Sequence, residues 1–301
     1  MTNLAIEVKN FSKHYGDFTA VDNISFDVRR GEVFGLLGPN GAGKTTTMEC
    51  VEGLRRPDAG ELKVMGLDVT QNTRLLHDAI GVQLQTGSLP GYLSVGESLR
   101  LFSAYHGVEP DFTLLERMGL ADKTNAQYQT LSTGQKRRVA LALAVVHRPL
   151  VLFLDEPTAG LDVSSRKMLH QLMDELKQEG MTIILSTHDM AEAETMSDRV
   201  AILLGGRLVA QGTPKELTST GEGLTRVSVR SVHHSLADIA LPGAVRHTLE
   251  GDYSVYLTAA PGPSVTALMS HMEKTGDELI DLRVERPSLE ERFLELTQKS
   301  A

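Results

Sequence analysis

The fold of this chain is decided by the stretch Gly38-Pro39-Asn40-Gly41-Ala42-Gly43-Lys44-Thr45. It fits the pattern G-x-x-x-x-G-K-[ST], in which backbone N–H groups of a glycine-rich loop surround phosphate oxygens at the positive end of a helix. The segment Glu32–Leu37, mostly apolar, predicts a short buried strand before the loop, and a helix is predicted from Lys44 onward. The sequence therefore predicts a strand–loop–helix unit that binds a nucleoside triphosphate.

The end of this loop carries the side chains that handle phosphate charge. We expect Lys44 to bridge the β- and γ-phosphates as a point charge, and the hydroxyl of Thr45 to join the shell of a magnesium ion. Thr46 lies in the same first helical turn. Kinases, GTPases and motor proteins all use such a loop, so other motifs must decide the function.

A second motif, Val151-Leu152-Phe153-Leu154-Asp155-Glu156, consists of four apolar residues followed by two acids. This pattern is typical of a buried parallel strand that delivers carboxylates at its C-terminal end. Asp155 would order the magnesium shell, and Glu156 would polarise the attacking water as general base. A strand that ends in two acids can also be a solvated loop entrance, but its position after a phosphate loop favours the catalytic interpretation.

A third motif, Leu131-Ser132-Thr133-Gly134-Gln135, precedes an apolar-rich helical pattern from Arg137 to His147. Ser132 predicts a helix N-cap, so a second helix N-terminus could bind an anion through its backbone N–H groups. Taken alone, Ser132 is better explained as an ordinary cap than as part of a phosphate site.

With these motifs in this order, the chain resembles the ATP-binding subunits of ABC transporters over roughly its first three-quarters. LSTGQ is similar to that family's signature LSGGQ. The resemblance implies an α/β P-loop NTPase fold of the ABC ATPase type with a helical subdomain, ATP and Mg²⁺ as cofactors, and a homodimer in which Ser132 and Gly134 of one chain close over the nucleotide of another. Thr133 stands where the family has glycine; we expect it to point away from the phosphate, so that binding survives.

The other family marks follow in order. Tyr15 matches the aromatic residue that stacks on adenine, and Gln85 matches the glutamine that contacts magnesium and links the site to the membrane partner; Gln83 fits that position less well. Asp162 lies in the loop that signals between the two sites, and His188 matches the switch histidine that contacts the γ-phosphate. The resemblance thus assigns catalysis to Glu156, His188 and Gln85, metal binding to Thr45, Gln85 and Asp155, and nucleotide binding to Tyr15, Gly38, Pro39, Asn40, Gly41, Ala42, Gly43, Lys44, Thr45, Thr46, Ser132, Gly134, Gln135 and Asp162.

Composition agrees with this interpretation. The chain has 301 residues and a formal charge of −9, which disfavours a general nucleic-acid binder. Its N-terminus alternates like a strand, so no signal peptide is predicted, and the longest apolar stretch, Val139–Val146, is far shorter than the roughly 20 residues that span a bilayer. The single cysteine, Cys50, excludes a disulfide framework. We expect a cytoplasmic chain, peripheral on the cytoplasmic face of the membrane.

The partner that the resemblance implies is a separate membrane-spanning permease subunit. Its coupling helix would dock on the helical region after Gln85, where Ser94 caps a predicted helix over Ser98–His106 with apolar residues at Leu99, Phe102 and Ala104–Tyr105. From the sequence alone, an ordinary helix that faces the core is an equally good explanation of this stripe.

The last part of the chain predicts a second domain. We place the ATPase domain at residues 1–217, a polar linker at Thr218–Gly223, and a small accessory domain at residues 224–301. Its predicted elements follow the order βαββαβ, which suggests a ferredoxin-like module. They are strands at Arg226–Arg230, Val245–Leu249, Tyr253–Thr258 and Leu279–Glu285, and helices at Ser235–Ala240 and Val265–Glu273.

The C-terminal segment Pro287–Leu296 predicts a capped helix that resembles the tail of ATPases from exporters of drugs, antibiotics and polysaccharides. The sequence therefore predicts the ATP-hydrolysing subunit of an exporter of drugs, other small molecules or glycans. The alternative is a soluble ABC-type ATPase that acts on nucleic acid or ribosomes, although neither a coiled-coil insertion nor a second ATPase domain is visible. A P-loop kinase is disfavoured by the signature and switch motifs together.

Overall fold

A computed structural model of the chain describes residues 3–71, 73–84, 89–219, 224–233, 236, 239–285 and 288–299. The chain forms two compact units, Met1–Thr213 and Pro214–Ala301. The division lies slightly before the boundary predicted at residue 217, because the helix Pro214–Ser219 belongs to the second unit.

The first unit contains ten described strands and seven described α-helices. The strands are β1 (Leu4–Tyr15), β2 (Phe18–Arg29), β3 (Val33–Leu37), β4 (Ala59–Val64), β5 (Leu67–Asp68), β6 (Ile80–Gln83), β7 (Val151–Asp155), β8 (Thr182–Thr187), β9 (Arg199–Leu204) and β10 (Arg207–Gly212). The helices are α1 (Lys44–Val51), α2 (Thr73–Ala79), α3 (Val95–His106), α4 (Thr113–Arg117), α5 (Thr133–Val145), α6 (Val163–Gln178) and α7 (Met190–Met196), and two 3₁₀ turns lie at Ala121–Lys123 and Tyr128–Thr130.

A six-stranded sheet in the order β10-β9-β3-β8-β7-β6 forms the centre of this unit. Its pairs are parallel except for β10 with β9. Every residue of β3, β7 and β8 is buried, as expected for parallel strands that are covered on both faces. The carboxyl ends of these three neighbouring strands lead into the phosphate loop, the acidic pair and His188, so the sheet brings the three motifs to one edge.

Two apolar cores lie on the two faces of the central sheet. One joins the sheet to α1 and to a four-stranded antiparallel sheet in the order β2-β1-β4-β5, and there the rings of Phe26 and Phe34 stack with centroids 5.5 Å apart. The other joins the sheet to helices α3, α5 and α6 through residues such as Leu99, Leu143 and Leu172.

Helix α3 begins where its predicted cap requires. Ser94 and Glu97 form a capping box, and Gly107 ends the helix in the left-handed conformation. The predicted apolar stripe divides in two: Leu99 is buried and Phe102 packs on the core, whereas Tyr105 is 74% exposed. Tyr105 therefore belongs to the surface, where it lines a cavity described below.

The second unit is an antiparallel sheet with one long helix on it. Its elements are α8 (Pro214–Ser219), β11 (Thr225–Ser231), β12 (Ala244–Glu250), β13 (Tyr253–Thr258), α9 (Pro261–Thr275), β14 (Leu279–Glu285) and α10 (Leu289–Lys299). The sheet order is β12-β13-β11-β14, so another strand separates the two strands that each crossover connects. This strand order is compatible with the predicted ferredoxin-like module. Of the predicted helix Ser235–Ala240, residues 235, 237 and 238 lie outside the described residues, and residues 236, 239 and 240 are not helical. The ferredoxin-like assignment stays a prediction.

The C-terminal helix α10 starts with reciprocal capping between Ser288 and Glu291. The N–H of Glu291 donates to Ser288 Oγ at 3.2 Å, and the N–H of Ser288 donates to Glu291 Oε2 at 3.0 Å. Within the described ranges, each helix of the chain is too short or too polar to cross a bilayer.

Candidate nucleotide-binding site

The phosphate loop packs tightly between the end of β3 and the start of α1. Gly43 has φ +96°, and a Cβ at this position would lie 2.6 Å from the carbonyl oxygen of Ala20, so only glycine fits. Gly43 is also the N-cap of α1 and provides no side-chain cap, and the first turn contains no acid. The start of α1 is thus suited to an anion that binds its backbone N–H groups.

Lys44 lies at the centre of the loop. Its Nζ donates to the carbonyl oxygens of Gly38 at 2.7 Å and Pro39 at 3.2 Å, and the residue is only 6% exposed. Burial lowers the pKa of Lys44, while the negative charges of Glu156 and Asp155 oppose that shift. The lysine thus holds a positive charge under the loop, 3.8 Å from Oε1 of Glu156.

Asp155 ends β7 beside Thr45 and Ser186. Thr45 Oγ1 donates to Asp155 Oδ2 at 3.4 Å, and Ser186 Oγ donates to Asp155 Oδ1. Asp155 and Ser186 are paired residues of the parallel strands β7 and β8. A hydroxyl and a carboxylate oxygen this close together match the hard-ligand preference of Mg²⁺, so the donor set fits the ion that was predicted here.

Glu156 is held in an unusual backbone conformation next to Asp155. Its φ is +46°, a value that non-glycine residues rarely adopt and that is found most often at functional sites. Its N–H donates to the carbonyl oxygen of Ser186 at 3.1 Å, and Oε1 lies 3.0 Å from Nδ1 of His188. The structure therefore brings together Lys44, Asp155, Glu156 and His188, four residues that the sequence motifs singled out.

Ser186 was not among the predicted site residues, although it contacts both acids. Its neighbour Thr187 also supports the site, because its Oγ1 donates to Glu192 Oε2 at 2.9 Å and accepts from the N–H of Asp189 at 3.0 Å. These bonds fix the start of α7 behind His188. The sequence could indicate only that Ser186 and Thr187 end an apolar strand. It could not show that Ser186 contacts Asp155, because that contact depends on which strands are neighbours in the sheet.

Tyr15 lies apart from this cluster at the end of β1. The residue is 41% exposed, and Lys13 Nζ and the guanidinium of Arg55 are each 5.6 Å from its ring centre. No hydrogen bond or ion pair between described residues connects Tyr15 to the phosphate loop.

The signature residues form the beginning of α5, as their capping pattern predicts. The N–H of Ser132 donates to Gln135 Oε1 at 2.9 Å, and the N–H of Gln135 donates to Ser132 Oγ at 3.2 Å. Thr133, the first residue of the helix, is exposed. A Cβ on Gly134 would lie 2.6 Å from Ser165 Oγ, so this glycine permits close packing of α5 against α6.

Asp162 is the N-cap of α6. Its carboxylate accepts from the N–H of Ser165 at 2.7 Å, and this bond keeps the pKa of Asp162 low. Asp162 and the signature therefore adjoin each other through Ser165. Across the described parts of the chain, no hydrogen bond or ion pair joins either of them to the phosphate loop.

Gln85, predicted to contact magnesium, lies outside the described residues. Gln83, the competing glutamine, is described and is buried at the end of β6. Its side-chain amide has no hydrogen-bond partner among the described residues.

Comparison with known proteins decides the family. The profile of the ABC transporter family matches residues 21–159. The Nod factor export ATP-binding protein I of Rhizobium etli is 37% identical over 97% of this chain and 93% of its own length. The chain belongs to the ABC transporter family. The probable multidrug ABC transporter ATP-binding protein YbhF of Escherichia coli is 39% identical over 70% of this chain and 38% of its own length.

Solved structures agree with this family assignment. The dimeric structure of a post-hydrolysis state of the ATP-binding cassette MJ0796 bound to ADP and Pi has 25% identity and a TM-score of 0.64, and it covers 69% of this chain and 98% of that one. The predicted resemblance to exporter ATP-binding subunits and the predicted α/β P-loop fold are confirmed. The chain is an ABC ATPase, and its family binds ATP and ADP with Mg²⁺. The alternative of a nucleic-acid or ribosome ATPase is not favoured. ABC ATP-binding subunits dimerise, work with membrane permeases and associate with the membrane.

Proposed function

We propose that this chain hydrolyses ATP at the cluster around Glu156 to drive export through a separate membrane-spanning permease. The observation that supports it most strongly is the position of Glu156. Its carboxylate is buried between the Lys44 ammonium and the His188 ring, on a backbone held at positive φ. A general base needs such fixed placement beside the group that develops charge.

Each residue of the cluster has a role in this reaction. Lys44 and the N–H groups of the loop bind the β- and γ-phosphates, and Thr46 lies in the same helical turn. Glu156 takes a proton from the water that attacks the γ-phosphorus, as the bond to the β–γ bridging oxygen breaks and ADP and phosphate form. His188 holds the Glu156 carboxylate in place and contacts the γ-phosphate. Thr45, Asp155 and Gln85 would hold Mg²⁺, which neutralises phosphate charge when bound.

The catalytic unit is a homodimer with two-fold symmetry. In a single chain, Ser132 and Gln135 satisfy each other, and no described hydrogen bond or ion pair links them to the phosphate loop. A second copy would bring its Ser132, Gly134 and Gln135 to the nucleotide from the opposite side, with its Asp162 beside them. Tyr15 of the chain that holds the phosphates would stack on the adenine. Each of the two ATP molecules would then lie between the subunits.

The permease binds the first unit on the cytoplasmic face of the membrane. The relatives named for Nod factor export and for multidrug transport support an exporter whose cargo is a drug, another small molecule or a glycan. The cargo would pass through the permease and would not contact this chain. Residues 224–301 form the accessory domain of the subunit.

The experiment that tests this function is purification of the Glu156→Gln chain from detergent-solubilised native membranes in ATP, followed by mass spectrometry. The variant removes the base and keeps the loop, so we expect a trapped dimer with a stoichiometric polytopic membrane protein. The exposed Glu61→Gln is a control of equal charge. Ribosomal or nucleic-acid material without such a membrane protein would overturn the proposal in favour of a soluble ABC-type ATPase.

A further inference from the structure

A cavity of about 170 Å³ in the first unit lies between the end of α1, strand β6 and helices α3 and α5. Its walls are mainly apolar and include Leu54, Val82, Phe102 and Leu143. Glu52 also lines it and is only 2% exposed. The cavity is thus an apolar slot with a carboxyl group in its lining.

Glu52 has an unsatisfied acceptor. Its Oε2 is fully buried and has no hydrogen-bond partner among the residues that the structure describes. An unpaired buried polar atom destabilises the folded chain, and more so when the group is charged. Such a side chain is suited to a partner that supplies the missing donor.

His147 provides a second acceptor in the same lining. Its Nε2 lies 2.9 Å from the carbonyl oxygen of Ile80, which can only accept, so Nε2 carries the hydrogen. In the neutral ring Nδ1 is then an acceptor, and this buried atom also has no partner among the described residues. When Glu52 is ionised, a form that a nearby cation favours, the lining has two unpaired acceptors, which suit a guest with several donors.

The mouth of the slot opens toward solvent. His77, Tyr105, His106 and His147 line both the slot and an adjoining cavity of about 580 Å³, which also contains Arg74 and Asp78. The rings of His106 and His147 stack in parallel with centroids 3.7 Å apart, and burial lowers the pKa of both. Neutral imidazoles at the mouth do not repel a cation that passes them.

We propose that the slot receives a lysine or arginine side chain of the membrane subunit, whose charged end pairs with Glu52. This inference rests on the proposed transport function and adds the chemistry of the contact. A basic side chain has an apolar stem that suits the walls and several donors at its tip for Glu52 and His147. The exposed Tyr105 and Leu54 beside the slot provide apolar surface for the helix that carries it.

The charges around Glu52 favour a cationic guest over a neutral one. Burial makes the largest contribution to the raised pKa of Glu52. The charges of Asp155 at the end of β7 and Glu49 on α1 raise this pKa further. A positive charge would relieve this negative surrounding, whereas a serine or tyrosine hydroxyl would leave it unchanged.

The test uses the full chain in native membranes. A photo-reactive benzoylphenylalanine in place of Tyr105 is irradiated, and mass spectrometry identifies the membrane-protein segment that is cross-linked. Retention of this membrane protein is then measured for Glu52→Gln, Glu52→Lys and the control Glu61→Gln, after melting curves have shown that each variant folds. Finally, Glu52→Lys is combined with an exchange of each basic residue of the cross-linked segment for glutamate.

We expect Glu52→Gln to lower retention at least tenfold, Glu61→Gln to leave it unchanged, and one basic-to-acidic exchange to restore retention by Glu52→Lys. Equal retention by Glu52→Gln and Glu61→Gln would overturn the inference while the transport function stands, and so would a cross-linked segment without lysine or arginine. If Glu52→Lys does not fold, the Glu52→Gln result and the composition of the segment still decide. Failure of the unaltered chain to retain any membrane protein would overturn the transport function itself.

Discussion

Glu156 and Glu52 are two buried glutamates of the first unit whose surroundings differ. The carboxylate of Glu156 lies 3.0 Å from His188 and 3.8 Å from the ammonium of Lys44. Glu52 lines a mainly apolar slot, its Oε2 has no partner among the described residues, and the nearby charges that act on it are negative. The partners of the Glu156 carboxylate therefore come from the same chain, whereas no described residue of this chain provides a partner for Glu52 Oε2.

The difference shows how a single chain indicates which of its sites need a partner. Paired buried charges hold a site ready, because each charge reduces the desolvation cost of the other. An unpaired buried carboxyl destabilises the isolated subunit, and it is expected to persist where another molecule supplies the opposite charge. The predictions below change one member of each arrangement in turn.

The largest effect is expected from Glu156→Gln. Removal of the general base should lower the ATP turnover rate about 10³-fold, while ATP affinity changes little because Lys44 and the loop are intact. Phosphate release and equilibrium nucleotide binding measure the two quantities. A variant that hydrolyses ATP at the parental rate would show that Glu156 is not the base.

Lys44→Met should have the next largest effect, because it removes the ammonium group that lies beside the Glu156 carboxylate and contacts the phosphates. The loss of charge-assisted hydrogen bonds to phosphate should weaken ATP binding about 100-fold. Titration calorimetry with ATP measures it, and Lys63→Met, at a more exposed lysine on β4, is the matched control. Unchanged affinity would contradict the assigned role of Lys44.

These contrasts also separate what the sequence could predict from what it could not. Lys44, Asp155 and Glu156 were predictable from the phosphate-loop pattern and from an apolar strand that ends in two acids, and His188 from the resemblance to the family's switch histidine. Ser186 was not predicted, because its contact with Asp155 depends on the pairing of β7 with β8. The surface position of Tyr105 was not predicted either, since helical periodicity gives one apolar face and not where the face ends.

Glu52 was missed for a similar reason. A glutamate at the end of a helix is usually exposed, and only the fold brings this one into the lining of a cavity that β6, α3 and α5 also line. Its burial creates a pH dependence that the sequence does not reveal. The desolvation of the carboxyl group, followed by the charges of Asp155 and Glu49, raises its pKa from 4.5 to about 8.

A smaller effect is therefore expected on the stability of the nucleotide-free subunit. Below pH 4.5 Glu52 is protonated in both states and has no influence. Between pH 4.5 and about 8 the unfolded chain releases this proton and the folded chain keeps it, so the free energy of unfolding falls as the pH rises. Glu52→Leu should remove this loss and stabilise the subunit by about 2 kcal/mol at pH 8, with less gain at pH 5.

Thermal melting from pH 5 to pH 9 checks this prediction. Other titratable groups lie around the slot, including His106 and His147, whose pKa values are lowered by burial, so the difference between variant and parent is the informative quantity. Glu61→Gln, at an exposed glutamate outside the slot lining, is the control variant. A Glu52→Leu variant that is less stable than the parent at pH 8 would contradict the raised pKa.

The smallest effect is expected from Glu49→Gln, which tests the negative surroundings of Glu52 directly. Glu49 contributes less to the raised pKa of Glu52 than Asp155 does, and it is already paired with Arg55. Loss of its charge should lower the pKa of Glu52 by roughly half a unit or less, since solvent screens a partly exposed charge. A ¹³C titration of the Glu52 carboxyl group measures the change, with Glu61→Gln as reference. A rise in the pKa would show that Glu49 acts on Glu52 through packing, because loss of a neighbouring negative charge can only lower it.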